Sequence, residues 1–183
     1  MNLNSYCYYV SKLPVDSLDR IYHDRHYGVP IQDDDELFGR LIMEINQAGL
    51  SWSIILKKEE SFRAAYDQFR IEKIAAYDAS DVHRLLNDAG IVRNRLKIEA
   101  VIHNAQVVLG LKEEFGSFKQ WLDQHYQLSK AEWVKLFKKT FRFTGGEIVS
   151  EFLMSTAYLD GAHDTHCPVH LNRSKHPFDS TIG

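Results

Sequence analysis

The spacing of apolar side chains decides what this chain folds into. Over most of its 183 residues they recur three and four apart, and the alternation that marks a half-buried strand is nowhere sustained beyond a few residues. An all-α protein follows. The clearest case begins near Asp34, where Leu37, Leu41, Ile45 and Ala48 define one face of a helix. Glu44 falls on that same face, so its carboxylate points toward the core side. An ionised carboxylate there is costly unless something pairs with it. Gly49 breaks the helix, and Ser51 is placed to cap the next one at Trp52. An inward-facing acid near a large flat ring suits a flat, polar or cationic ligand. The alternative is a Glu at the edge of its face, reaching water beside a core Trp.

The remaining helices follow from the same spacing and from their punctuation. Phe62, Ala65, Tyr66 and Phe69 share a face over residues 60–69, and Ile71, Ile74 and Ala75 mark a short apolar segment. Ser80 or Asp81 opens a helix that ends at Asn87, and Asp88-Ala89-Gly90 is tight enough to be a hairpin between helices. A long helix carries Leu96, Val101, Ile102, Ala105, Val108 and Leu109 as one stripe, with Gly110 or Gly116 as its end. Glu113 and Glu114 are then assigned to an exposed loop. Ser117 caps a helix bearing Phe118, Trp121, Leu122 and Tyr126, and Ser129 with Glu132 makes a capping box for 130–139. Gly145-Gly146 precedes a last helix over 147–159, stopped by Gly161.

Composition narrows the class. With 44% hydrophobic and 26% charged residues, the chain reads as one globular domain spanning 1–183. No apolar run approaches a membrane span and residues 1–9 lack a leader pattern, so a cytoplasmic protein without a membrane partner is expected. A net charge of -3 argues against a wholesale nucleic-acid coat while leaving room for a local basic patch. The two cysteines, Cys7 and Cys167, stand near opposite ends. In a reducing compartment they are small buried hydrophobes, reactive thiols or metal ligands, and nearby histidines favour the last.

Two motifs point to chemistry. The hairpin turn at Asp88-Ala89-Gly90 leads into a helix with Arg93, Asn94 and Arg95 in its first turn and Lys97 just beyond. Such a turn presents backbone N–H groups to a phosphate, although an ordinary helix pair with solvated arginines has the same pattern. Cys167 follows His163 by four residues, and Cys7 and His23 could complete a set of four donors. Two thiolates and two imidazoles with no vacant position make a closed structural zinc site. In a chain with 9 His the pairing can also be accidental; His166 and His170 flank Cys167 too, and His170 and His176 read as loop residues.

The segments His23-Asp24-Arg25-His26-Tyr27-Gly28-Val29-Pro30, Glu44 with Gln47 to Trp52, and Asp88 to Lys97 resemble, in order and spacing, the bacterial 3-methyladenine DNA glycosylase I family. The resemblance runs from Cys7 to Cys167. It implies a helix-hairpin-helix glycosylase fold, with a hairpin lobe at about 60–116, a second lobe from about 1–59 and 117–170, and a tail at 171–183. It implies zinc held by Cys7, His23, His163 and Cys167. It also implies a base pocket in which Glu44 hydrogen-bonds the flipped base, Trp52 stacks on it and Tyr22 orients it. Gly90, Ile91, Arg93, Arg95 and Lys97 become the DNA-binding candidates. The chain departs from the pattern in several places. Tyr8-Tyr9 replaces Gly-Trp, so that Tyr9 stands for a pocket tryptophan; Tyr27 replaces Trp; Gly146, Glu147 and Ser150 lie where Thr and Tyr are usual.

The activity implied is monofunctional hydrolysis of the N-glycosidic bond of 3-methyladenine in damaged duplex DNA, by a monomer in the bacterial cytoplasm at the nucleoid. Free 3-methyladenine is the product. The base is already cationic and a good leaving group, so selective binding by an anionic Glu44 and aromatic faces supplies most of what is needed. No acid beyond the hairpin matches a water-activating Asp, and no lysine is placed for a Schiff base. A damage-binding protein without catalysis and a hydrolase of free modified nucleosides are the competing classes.

Overall fold

The structure, a computed structural model, describes residue 3 and residues 5–172; His176 and residues 173–183 of the expected tail lie outside them. Among the described residues the regular structure is entirely helical: α1 Tyr6–Ser11, α2 Leu18–Arg25, α3 Asp34–Gln47, α4 Trp52–Lys57, α5 Glu59–Ala65, α6 Ile71–Ala75, α7 Ala79–Asn87, α8 Arg95–Phe115, α9 Phe118–Gln124, α10 Lys130–Thr140, α11 Gly146–Ser155 and α12 Pro168–Asn172. No helix among them is long and apolar enough to cross a membrane. The chain forms two compact units, one from Met1–Pro30 with Leu153–Gly183, the other Ile31–Phe152. The 60–116 segment lies wholly within the second unit, and the 1–59 and 117–170 segments are shared between the two.

Capping sets most of the starts. Ser5, Ser17, Asp33, Asn94, Ser117 and Ser129 each accept a backbone N–H from the first turn of the helix they open. The Ser129–Glu132 capping box is present, and a second one fixes α7. There Asp78, rather than Ser80 or Asp81, is the cap, because Asp81 at the third helical position reciprocates by accepting from the Asp78 N–H. Ser51 precedes α4 without a side-chain cap.

The apolar pattern is right about burial more often than about helix length. Leu96, expected in the α8 stripe, is 67% exposed, and Ile98 and Ala100 are buried with Val101, Ile102, Ala105 and Val108. The helix passes through Gly110 and ends at Gly116 with φ of 90°, so Glu113 and Glu114 sit on a helix and not in a loop. α11 stops at Ser155, short of Gly161, and Ala157 takes a positive φ of 65°. His170 belongs to α12.

The expected 60–69 helix is broken for a packing reason. Asp67, Gln68 and Phe69 have φ of 51°, 59° and 59°, a left-handed turn that costs L-residues free energy. It carries Phe69 inward against Gly39 of α3. Tyr77 Oη donates to Asp67 at 2.6 Å and the Arg63 guanidinium lies 4.9 Å from the Phe69 ring centroid, so both ends of the turn are held. A Cβ at Gly39 would overlap the Phe69 ring, lying 2.7 Å from its Cγ. Gly39→Ala is therefore expected to destabilise the protein by about 2–3 kcal/mol, and a melting temperature within a degree of wild type would show that the ring can move aside.

In the second unit, Phe118, Trp121, Trp133, Phe137, Phe141 and Phe152 form a continuous aromatic cluster with centroid separations between 5.2 and 6.4 Å. Asp34 at the start of α3 accepts the Phe118 and Lys119 N–H groups at 3.0 and 2.9 Å, tying α9 to that helix. Asn104 of α8 grips the Arg142 carbonyl and N–H at 3.0 and 2.8 Å.

Candidate functional site

In the second unit, every residue from Leu41 to Asn46 is buried, so this stretch of α3 has no water-facing side. Glu44 is 3% exposed, which removes the reading of a surface acid. Burial pushes its carboxyl up to about 8; Arg40, one turn earlier, pulls it down and Glu151 pushes it further up. It has no hydrogen-bond partner among the described residues. A buried acid held neutral by desolvation is a group awaiting a cation or a donor.

The turn after α3 is fixed tightly. Gly49 adopts φ of 86°, the Leu50 N–H donates to Gln47 O at 2.7 Å and Gln47 Nε2 returns to Leu50 O at 3.0 Å. Lys97 Nζ reaches from α8 to donate to Asn46 O at 2.9 Å and Ala48 O at 2.8 Å. A cation at a helix C-terminus satisfies carbonyls that have no partner within the helix. Lys97 is only 5% exposed, so its expected role as a DNA contact is corrected: it anchors the α3 end from which the chain turns to Trp52. Trp52 is half-buried as the first residue of α4.

The hairpin between α7 and α8 is present as a turn. The Gly90 N–H donates to Asp88 Oδ1 at 2.7 Å and the Ile91 N–H reaches Asp88 O at 3.4 Å. Ile91 is 4% exposed, and its side chain belongs to the core. Gly90 permits close packing, since a Cβ there would lie 3.0 Å from Ser61 Cβ. The N–H groups of Val92 and Arg93 have no partner among the described residues. Arg93 and Arg95 are exposed, and Arg95 makes a solvent-facing pair with Glu99 at 3.4 Å.

The first unit gathers the other candidates. Tyr22 and Tyr27 are buried with ring centroids 5.7 Å apart, whereas Tyr9 is 47% exposed. Tyr6, which the sequence did not single out, joins them: its ring lies 6.1 Å from Tyr9, 6.4 Å from Tyr22 and 5.7 Å from Tyr27. Its hydroxyl donates to Asp19, and burial drives its pKa well above the usual tyrosine value. Its position in Tyr6-Cys7-Tyr8-Tyr9 was the available signal.

Cys7, His23, His163 and Cys167 come together with donor atoms all within 4.8 Å of one another. His23 Nε2 lies 3.3 Å from Cys7 Sγ and 3.7 Å from Cys167 Sγ. His163 Nδ1 lies 3.8 and 3.9 Å from the same sulfurs and 3.1 Å from His23 Nε2. The opposite ring nitrogens are occupied, His23 Nδ1 by Asp24 Oδ1 at 2.7 Å and His163 Nε2 by Tyr27 O at 2.9 Å. Those partners take the ring protons and leave the facing nitrogens as lone pairs. The Asp164 N–H donates to Cys7 Sγ at 3.3 Å. Burial pushes the Cys7 thiol up to about 11; the Asp164 amide pulls it down and the Cys167 sulfur pushes it up. The four residues can hold a metal ion.

An all-helical chain with a buried, partnerless acid and a four-donor cluster has clear relatives. The methyladenine glycosylase family model matches residues 13–134. DNA-3-methyladenine glycosylase 1 of Escherichia coli K12 is 46% identical, the match covering 84% of this chain and 91% of that protein. DNA-3-methyladenine glycosylase of Haemophilus influenzae is 34% identical over 80% and 89%. A structure of 3-methyladenine DNA glycosylase I from Staphylococcus aureus matches with a TM-score of 0.79 at 31% identity, covering 88% of this chain and 95% of that one. A Tyr→Phe variant of 3-methyladenine DNA glycosylase I in complex with 3-methyladenine matches with 0.80 at 31%, covering 89% and 96%. The chain belongs to the methyladenine glycosylase family.

Proposed function

We propose that the protein is a 3-methyladenine DNA glycosylase that flips the methylated base from duplex DNA and hydrolyses its N-glycosidic bond without cutting the strand. The observation that carries this reading is Glu44, buried and without a hydrogen-bond partner in a chain of this family. Desolvation favours the neutral form of this carboxyl. A cationic base offers the counter-charge that lets it ionise, and the bond formed is charge-assisted. Trp52, which lies with Glu44 in the second unit, stacks on the base. The α7–α8 turn acts as the helix-hairpin-helix element: the unpartnered N–H groups of Val92 and Arg93, with Gly90 allowing the close turn and Arg93 and Arg95 adding charge, take a backbone phosphate. The protein acts as a monomer in the bacterial cytoplasm, at the nucleoid.

The metal of the four-donor cluster is zinc. Zinc bond lengths of about 2.3 Å to sulfur and 2.05 Å to nitrogen give tetrahedron edges of roughly 3.4–3.8 Å. Five of the six donor separations, 3.1–3.9 Å, lie close to those edges, and all four donors fall within 4.8 Å of one another. Four protein donors leave no place for water, so zinc supplies cross-linking of α1, α2 and the 163–167 segment and no part of the hydrolysis.

Incubation with methylated duplex DNA and, separately, with free methylated nucleosides tests the reading. Release of 3-methyladenine from DNA alone is expected. Release from nucleosides alone indicates a nucleoside hydrolase, and binding to methylated duplex without release indicates a damage sensor; either result overturns it.

A further inference from the structure

We propose that Lys58 is a DNA-phosphate-binding residue whose ammonium is held in position by the hairpin itself. The inference rests on the reading of the α7–α8 turn as the phosphate-binding element. Lys58 lies between α4 and α5, and its Nζ donates to Ala89 O at 3.2 Å and to Gly90 O at 3.0 Å. An ammonium has three N–H donors. Two are spent on the turn's carbonyls, and the third has no partner among the described residues.

The surroundings favour an outside anion over an internal one. Arg63, Arg84 and Arg95 each pair with a carboxylate. Lys58 forms no ion pair among the described residues, although Glu59 and Glu60 follow it directly. Asp88, the acid of the turn, is turned to the Gly90 N–H at 2.7 Å. The site is built for this reach, because Gly90 lets α5 approach so closely that a Cβ there would stand 3.1 Å from Ser61 Oγ. Lys58 therefore places one positive charge on the same short turn as the Val92 and Arg93 N–H groups, which also lack partners. A cation and adjacent amide donors together suit a phosphate oxygen. The side chain is already ordered by two hydrogen bonds, so binding an anion costs it little further rotamer entropy.

A purely structural clamp would use the same two carbonyl bonds, so the test must read charge and not only folding. Binding to a duplex containing a non-cleavable abasic-site analogue is measured across a salt series. Wild type, Lys58→Met, Lys58→Gln and Lys58→Arg are compared, with Arg93→Ala as a reference and thermal melts alongside. Lys58→Gln keeps a donor for the carbonyls while removing the charge. Both neutral variants are expected to lower the slope of log affinity against log salt by about one, and Lys58→Arg to retain it. Equivalently, the wild-type advantage over Lys58→Gln shrinks about 3.5-fold between about 50 and about 200 mM salt. Affinity for free 3-methyladenine stays at the wild-type value. Equal slopes for wild type and both neutral variants, with any loss independent of salt, overturn the inference. If Arg93→Ala lowers the slope while the Lys58 variants do not, Lys58 alone is reassigned as a clamp; if none of them changes it, the phosphate-binding reading of the hairpin falls as well.

Discussion

Cys167→Ser is expected to lower the melting temperature by roughly 6–12 °C, corresponding to a loss of about 3 kcal/mol or more in a chain of this size. The size of the effect follows from where the donors come from. Cys7 lies on α1, His23 on α2, and His163 and Cys167 on the segment leading into α12. Structural zinc sites of this composition contribute apparent binding free energies of about 10–16 kcal/mol in small peptides. Only part of that is lost here, because Val10, Tyr22 and Tyr158 also bury side chains in this unit. Serine is shorter and a poor zinc ligand at neutral pH, and a closed tetrahedron cannot replace the lost donor without admitting water. Metal analysis of purified wild type should give one zinc per chain, and a strong chelator should reproduce the shift seen in the variant. Purified protein that contains no zinc, or a chelator that leaves the melt unmoved, sinks the assignment.

The cluster was readable in the sequence because its chemistry needs rare residue types, and a spacing of four puts His163 and Cys167 on one side of a helix or of a tight turn such as the one closed here by the Cys167 N–H on Asp164 O. Glu44 was readable because a charge among Leu37, Leu41 and Ile45 violates the pattern around it. The failures share a different cause. Lys97 reads as one more basic residue at a helix start, yet its ammonium is committed to two carbonyls about fifty residues earlier in the chain, and no local spacing announces a contact that distant. Lys58 is illegible for the same reason: the carbonyls of Ala89 and Gly90 that hold its ammonium lie about thirty residues further along the chain. The left-handed turn at 67–69 depends on a missing side chain at Gly39, thirty residues upstream of Phe69, so the helical pattern of Phe62, Ala65, Tyr66 and Phe69 gave no warning. The helices from α3 to α11 and the burial of most apolar positions needed only the period, whereas the short α1, α2 and α12 were not legible from it, and helix ends depended on which of several neighbouring polar residues made the better cap, as Asp78 did over Ser80.

Glu44→Gln is expected to slow release of 3-methyladenine from methylated duplex DNA and to weaken binding of the free base by about tenfold or more. The estimate comes from the difference between a charge-assisted hydrogen bond, about 1.5–3 kcal/mol, and a neutral one, about 0.5–1.5 kcal/mol. The same substitution should raise stability in a pH-dependent way, which separates a pocket acid from a merely misplaced one. Burial raises the Glu44 carboxyl from the ordinary 4.5 to about 8. Between those values the unfolded chain releases its proton while the folded protein keeps it, so wild-type stability falls as pH rises through this window and levels off above it. Glutamine cannot ionise and has no such slope. The stability of Glu44→Gln relative to wild type should therefore change little below about pH 4 and climb between about pH 5 and 8. The climb has an upper bound of about 5 kcal/mol, since each pH unit is worth about 1.4 kcal/mol. Arg40 works against the rise and Glu151 adds to it, so Glu151→Gln should shift the window toward lower pH. Melts across pH, run beside titrations with 3-methyladenine, read both halves. A flat stability difference across that range would mean the carboxyl titrates as if solvated. A variant that binds the base as tightly as wild type would end the recognition role of Glu44.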